Sequence, residues 1–440
     1  MNIYFVRNKA VPGAFHIWPG LLVAILGCAG ASAQPNVVVK EKGPPVEILL
    51  KKINDLEAAQ KQMQEKIDRL TAASSVPPPA NPQPPVEPVE VAQAAQSASS
   101  GPDSADGDHT LGPVAFRGFS DFNFGRAWFE KQPPGGLNGS PRSFNIGDFD
   151  LFTNTRISEH WSVLGELLIT SDFSNEFGAE LDRLLFTYRQ NDYFKVSFGK
   201  FNTSLGYYGN AFHRAQYFQT GVGRPVMYSD EDNGGILPTH SVGVTASGRI
   251  PSGSLGLYWV AEVANGRSAT NPEVPIQNFV DENNGKSVNL AVYARPDWAH
   301  GMQAGFSTYR DTMHPAGMNA IHQTIFTAHV AYAGSRLEWL NEMSVVRHAL
   351  QESNEVYRSV TSYSQLAWAF GKTRPYVRFD YQNVPVGDPV FGILGRQCGP
   401  SFGVNRHLSN YVALKLQYGR LSRRDFSTAN GFTGQLAFAF

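Results

Sequence analysis

The sequence predicts an all-β fold: a transmembrane antiparallel β-barrel of about sixteen strands, preceded by an N-terminal coiled-coil helix. Three observations carry this. From Gly112 to Phe440 apolar and polar residues alternate with period two in short runs. The connections between those runs alternate between short and long. The last run, GFTGQLAFAF, places Phe432, Leu436, Phe438 and Phe440 on one face and ends the chain on an aromatic ring.

Composition agrees and excludes other classes. The chain has 440 residues, enough for two or three ordinary domains, but one barrel absorbs most of it. Mean hydropathy is −0.26, and no run past the N-terminus holds 18 consecutive apolar residues, so a helical membrane protein is excluded. Aromatic residues make up 12% and Gly contributes 42, which suits many short strands joined by tight turns. A net charge of −1 offers no basic stripe for a nucleic acid. The two cysteines, Cys28 and Cys398, build neither a disulfide framework nor a cysteine metal site, because Cys28 falls in a segment expected to be removed.

Residues 1–33 read as a secretory signal. Arg7 and Lys9 form the positive region, Leu21–Leu26 the apolar core, and Ala31-Ser32-Ala33 the cleavage site. A lipoprotein signal at Ile25-Leu26-Gly27-Cys28 is the alternative, and the large Leu26 fits it poorly. A short N-terminal segment, 34–45, leads into a heptad seam over 46–70. Val46, Leu49, Ile53, Leu56, Gln60, Met63, Ile67 and Leu70 follow one another at alternating spacings of three and four. That pattern predicts self-association through a periplasmic coiled coil, with Gln60 the one polar residue on the seam. Residues 71–112 turn to Pro, Ala and Ser, which cannot bury a core and form a semi-rigid linker.

The barrel domain is expected over 113–440. Phe149, Leu151, Thr153 and Thr155 alternate with Asp148, Asp150, Asn154 and Arg156, and Leu255, Leu257, Trp259 and Ala261 alternate with Gly256, Tyr258 and Val260. Alternation alone also fits a soluble sandwich. Loop lengths separate the two: Ser158–His160, Asn191-Asp192, Pro251–Gly253 and Asp297–His300 are short, whereas Asp172–Gly178, Phe201–His240, Asn265–Lys286 and Arg310–Asn319 are longer. Short turns on one rim and longer loops on the other suit a barrel that spans an outer membrane.

Catalytic motifs are absent: there is no G-x-S-x-G, H-E-x-x-H or P-loop, so no enzyme and no cofactor is expected. Asp230-Glu231-Asp232-Asn233-Gly234 has the composition of a calcium loop without its ligand spacing, and no metal is assigned. Charged residues on the lumen face are the remaining candidates. The alternation points Arg126, Arg156, Arg183, Arg189, Lys195, Arg378 and Lys415 inward, together with Asp148, Asp150, Glu166, Glu262, Glu338, Glu342 and Asp380. A sixteen-stranded barrel is wide enough for an aqueous channel. Whatever narrows that channel sets its selectivity. The forty residues Phe201–His240 interrupt the alternation between the fifth and sixth strands. They supply the expected pore constriction: Tyr207, Tyr208, His213, Arg214 and Arg224, with Asp230, Glu231 and Asp232.

With its strand end VSFGKF (Val196–Phe201), the loop start SLGYYGNAFHRA (Ser204–Ala215), the heptads at 46–70 and the terminal Phe440, the chain resembles the Gram-negative outer-membrane porins. Within them it looks like the trimeric phosphate-selective and dicarboxylate-type porins, some of which carry an N-terminal coiled coil. The resemblance implies a third loop folded into the barrel, a homotrimer in outer-membrane lipid, and passive diffusion of small hydrophilic solutes, charged ones included. It also implies that Phe438 and Phe440 form the signal read by the barrel assembly machinery. No dense run of Arg and Lys of the kind phosphate selectivity wants is present. The alternative is an envelope tether, with the coiled coil bound to peptidoglycan or another partner and the barrel as its anchor.

Overall fold

The computed structural model describes residues 115–131, 139–140, 142–171, 176–229, 235–268, 277–315, 318–424 and 426–440. The expected signal, coiled coil and linker lie outside the described residues.

Sixteen strands follow one another. The first eight are β1 (Ala115–Phe129), β2 (Ser143–Arg156), β3 (Trp161–Ser171), β4 (Phe177–Asn191), β5 (Phe194–Asn202), β6 (His240–Ile250), β7 (Leu257–Ala264) and β8 (Ser287–Ala294). The second eight are β9 (Met302–Met313), β10 (Ile321–Ala333), β11 (Leu337–Leu350), β12 (Val356–Trp368), β13 (Thr373–Asn383), β14 (Arg396–His407), β15 (Val412–Arg423) and β16 (Phe426–Ala439). Each strand pairs antiparallel with the next, and β1 pairs with β16, which closes the barrel and removes every edge. Closure runs to the chain end, where Phe440 and Gly118 exchange backbone hydrogen bonds of 2.7 and 2.9 Å.

The outside of this barrel is apolar, and the inside is polar except where wall residues such as Ile325, Leu340 and Val346 pack against a loop. On β10, Gln323, Thr327 and His329 are buried while Phe326 on the opposite face is 56% exposed. On β15, Lys415 and Gln417 are buried while Leu414, Leu416 and Tyr418 are exposed. A soluble barrel would show the reverse, so the outer belt belongs in lipid. Trp161, Phe194, Trp339, Trp368 and Phe440, at the short-turn ends of their strands, place exposed rings around that rim. Such aromatic girdles sit at the membrane interface.

The short turns fall on one rim as expected. The opposite rim carries the longer loops, although 351–355 and 424–425 there are brief, and so is 172–176, where a longer loop is expected. Two of its loops fold inward: residues 203–229 and 235–239, between β5 and β6, and 384–395, between β13 and β14.

Candidate functional site: the loop across the lumen

The segment after Asn202 has no strand partner, and its apolar residues cannot face lipid from a loop. They pack into the barrel instead. Leu205, Tyr207, Tyr208, Phe212, Met227, Tyr228 and Ile236 join Ile325, Leu340, Val346 and Tyr363 of the wall in one buried cluster. One short helix, α1 (Tyr208–Ala211), turns the chain back. Gly206, at φ +72°, makes the approach possible, since a Cβ there would strike the Tyr228 hydroxyl and the Glu342 carboxylate.

Polar groups of the wall hold the loop at several points. Glu342 on β11 accepts the backbone N–H of Tyr207 (2.5 Å) and of Tyr208 (2.9 Å), and the hydroxyls of Tyr228 and Tyr363 (2.7 Å each). Glu338 accepts from Thr220 at 2.8 Å. Arg378 on β13 donates to the Gly223 carbonyl at 2.9 Å and pairs with Asp380, which accepts the Val226 N–H at 3.0 Å. Lys415 on β15 donates to the carbonyls of Gln216 and Gly221. Tyr217 reaches the far wall, packing with Phe119, Ala413 and Ala437. At the other side Ser204 donates its N–H to Glu262 at 3.2 Å. The loop is therefore tied to β1, β7, β11, β13, β15 and β16, and it crosses the lumen rather than lining one side.

His213 and Arg214 are fixed on β4. Asp182 accepts from His213 Nε2 at 2.6 Å and from Arg214 at 3.2 Å, and His240 Nε2 lies 3.4 Å from the same carboxylate. The ligand atoms of Asp182, His213 and His240 lie within 4.8 Å of one another, a spacing a divalent cation could use. The hydrogen bonding argues for a latch instead. Arg224 donates toward His213 Nδ1 (3.3 Å), which favours the ring proton on Nε2, where Asp182 (2.6 Å) and His240 Nε2 (3.1 Å) both face it. A metal at Nε2 would have to reverse that tautomer beside two guanidinium groups.

The alternation explains why Asp182 was missed. In a regular strand it and Arg183 face opposite sides, and only one can enter the lumen. The register shifts between Leu167↔Leu181 and Glu166↔Arg183, so Asp182 is an inserted residue and both side chains point inward. Arg183 then pairs with Glu166. His240, 58 residues from Asp182 along the chain, carried no signal.

Among the other expected wall residues, Asp150 and Glu262 are buried on the inner face, and Arg189 and Lys195 face one another across β4 and β5. Asp148 sits at a bulge, where its N–H donates to Asp121. Arg156 lies at the short-turn rim and donates to the Ser158 carbonyl. Arg126 is a correction: inward residues of β1 are Asp121, Asn123 and Ala127, so Arg126 points outward, over the Trp128 ring at 5.9 Å. A one-residue difference in parity decides this. Phe438 and Phe440 are on the outer face of the closing strand. Asp230, Glu231 and Asp232 lie outside the described residues.

The inward loop 384–395 was also unforeseen. Burial raises the Asp388 carboxyl's pKa, but hydrogen bonds from buried His348 (2.9 Å) and from the N–H groups of Val390 and Phe391 outweigh it, leaving it below the ordinary range. Arg267, from the β7–β8 loop, lies over the Phe391 ring at 5.3 Å and donates to the Ile236 carbonyl, joining three loops.

No family model and no curated protein sequence matches the chain. Solved structures do. The anion-selective porin from Comamonas acidovorans matches at 11% identity and a TM-score of 0.53, over 74% of this chain and 99% of its own. The outer membrane channel DcaP of Acinetobacter baumannii matches at 11% identity and a TM-score of 0.52, over 74% and 97%. Salmonella typhi OmpF, in a complex with daunomycin, matches at 11% identity and a TM-score of 0.50, also over 74% and 97%. At such identity the likeness is one of fold: the chain carries the sixteen-stranded barrel of the outer-membrane porins.

Proposed function

We propose that this protein is an outer-membrane porin in which the β5–β6 loop forms the constriction of a channel for small hydrophilic solutes. The observation that carries the reading is the inversion of polarity combined with the inward loop. Lipid-facing apolar residues surround the interior, and a segment hydrogen-bonded to the wall at Glu342 and Glu338 lies within it. The porin fold supports it. Diffusion needs no catalytic group, only a wet wall and a limiting width. On this reading the heptad residues Val46–Leu70 assemble three copies on the periplasmic side, and Phe438 and Phe440 guide insertion.

Purified full-length protein is expected to insert into planar bilayers with stepwise conductance and to swell liposomes in arabinose. Absence of both would sink the porin reading in favour of the tether.

The Asp182 latch makes the constriction pH-dependent. His213 lies in the loop, where burial pushes its imidazole pKa well below the ordinary value, outweighing the opposite pull of Asp182. The charges of His240 and Arg224 add to the depression, and Arg214 also faces the same carboxylate. A docked His213 is therefore neutral, whereas a released one titrates near ~6.5. Docking is fully supported above that pH and weakens as pH falls below it, because the released loop then binds the extra proton. Conductance is expected to rise between pH 7.5 and pH 5, and His213→Gln should flatten that rise. Identical profiles for the two proteins would refute the latch.

A further inference from the structure

Three arginines stand on the outside of the barrel, where the strand period otherwise places apolar groups. On β9, Tyr309 and Asp311 are buried on the inner face, so Arg310 between them points outward. On β11, Val346 and His348 fix the same orientation for Arg347, and on β12 Ser359 and Thr361 put Arg358 and Val360 outside. The three form one row across the sheet: Arg310 pairs with Thr324 on β10, Thr324 with Arg347, and Arg347 with Arg358. Like charges set directly opposite one another destabilise a sheet. Among the described residues none of the three forms an ion pair. Other outward arginines toward the same rim are engaged: Arg420 pairs with Glu130, and Arg126 and Arg396 lie over Trp128 and Tyr381, each at 5.9 Å.

The row sits at a membrane boundary. Trp339 and Trp368 mark the other boundary, eight residues from Arg347 along β11 and ten from Arg358 along β12. With the rise and tilt of barrel strands those separations amount to ~20 and ~25 Å of height, close to the full apolar band. Toward the membrane centre, immediately beside the row, Phe306, Thr308, Phe326, Ala328, Met343 and Val345 line an apolar recess of about 330 Å³ on the same outer face.

Cations above an apolar recess complement an amphiphile with an anionic head and an acyl chain. Arg347 and Arg358, on neighbouring strands, suit one phosphate. Arg310 is two strands from Arg347, ~10 Å, and suits a second phosphate set apart from the first. We infer that Arg310, Arg347 and Arg358, with the recess beside them, bind a lipid whose head carries two phosphates, in the leaflet at the long-loop rim. Guanidinium forks grip phosphate bidentately, and the bound head offsets the Arg347–Arg358 repulsion. The inference goes beyond the channel reading and does not depend on conduction.

The test is native mass spectrometry of the full-length, detergent-solubilised protein titrated with diphosphoryl lipid A. The natural protein should retain this lipid, and should hold monophosphoryl lipid A and phosphatidylcholine more weakly. R310Q/R347Q/R358Q should weaken retention of diphosphoryl lipid A by about tenfold or more. Arg310→Gln alone should reduce it to the level of the monophosphoryl lipid. Ala328→Phe, which fills the recess without altering a charge, should also weaken it. Arg126→Gln, outward toward the same rim, should leave retention unchanged; a loss equal to that of the threefold variant would mean that net charge alone attracts the lipid, and would overturn the site. The heat-dependent gel shift checks that each variant is folded. Equal retention by the natural protein and the folded variants overturns the inference, whatever the conductance. Retained lipid in a protein that never conducts sinks only the porin reading. A change of oligomer mass in the threefold variant or in Ala328→Phe would assign this face to a second copy of the chain and likewise overturn the lipid site.

Discussion

Deleting Tyr207–Asp232 is expected to raise single-channel conductance in planar bilayers by about twofold or more, since the narrowest section of a pore dominates its resistance. The segment touches well-separated parts of the wall, β11 through Tyr207 and Tyr208 at Glu342, and β1 and β16 through Tyr217 at Phe119 and Ala437. None of its described residues contributes to the strand ladder, which closes through β1 and β16. The barrel should therefore still form, and its heat-dependent shift on gels provides the folding control. Unchanged conductance in a correctly folded deletion would remove the loop from the permeation path.

Replacing Glu342 by Ala should release the loop without removing it. Four donors converge on this carboxylate: two backbone N–H groups and two tyrosine hydroxyls. Truncation leaves the two N–H groups and the Tyr363 hydroxyl buried without an acceptor, a cost of about 3 kcal/mol concentrated at one end of the segment, while the Tyr228 hydroxyl keeps the Leu205 carbonyl at 3.1 Å. Arg214 is buried and Arg224 largely so, which shields them from trypsin. In Glu342→Ala, trypsin should cut at these residues in the otherwise intact protein, and open-channel noise should increase. Glu342→Gln, which keeps one acceptor oxygen, should lie between the two. A trypsin-resistant Glu342→Ala loop would mean that apolar packing alone holds it.

Much of the barrel is legible locally because a strand that separates lipid from water must alternate. Leu257, Trp259, Ala261 and Val263 face outward as their period requires, and Arg378 and Asp380 face inward for the same reason. Parity fails where the backbone inserts a residue. Asp182 escaped notice for that reason, since a bulge changes which face a side chain takes without changing the composition around it. Arg126 was misplaced because nothing in a short run labels one face as lumen until the neighbouring strands are paired.

What the sequence determined alone is the class of the barrel, its strand order and the position of its long interrupting loop. Hydrophobic period and connection length are properties of neighbouring residues, and the membrane constrains both. Tertiary structure decided how that loop is held and which charges are left over. Glu342 meets Tyr207 and Asp182 meets His213 across distances set by closure of the ring. Register likewise sets Arg347 opposite Arg358 on the outer face, with no carboxylate paired to either. Pairing of charges depends on which strands become neighbours and in what register, and that is fixed only when the last strand finds the first.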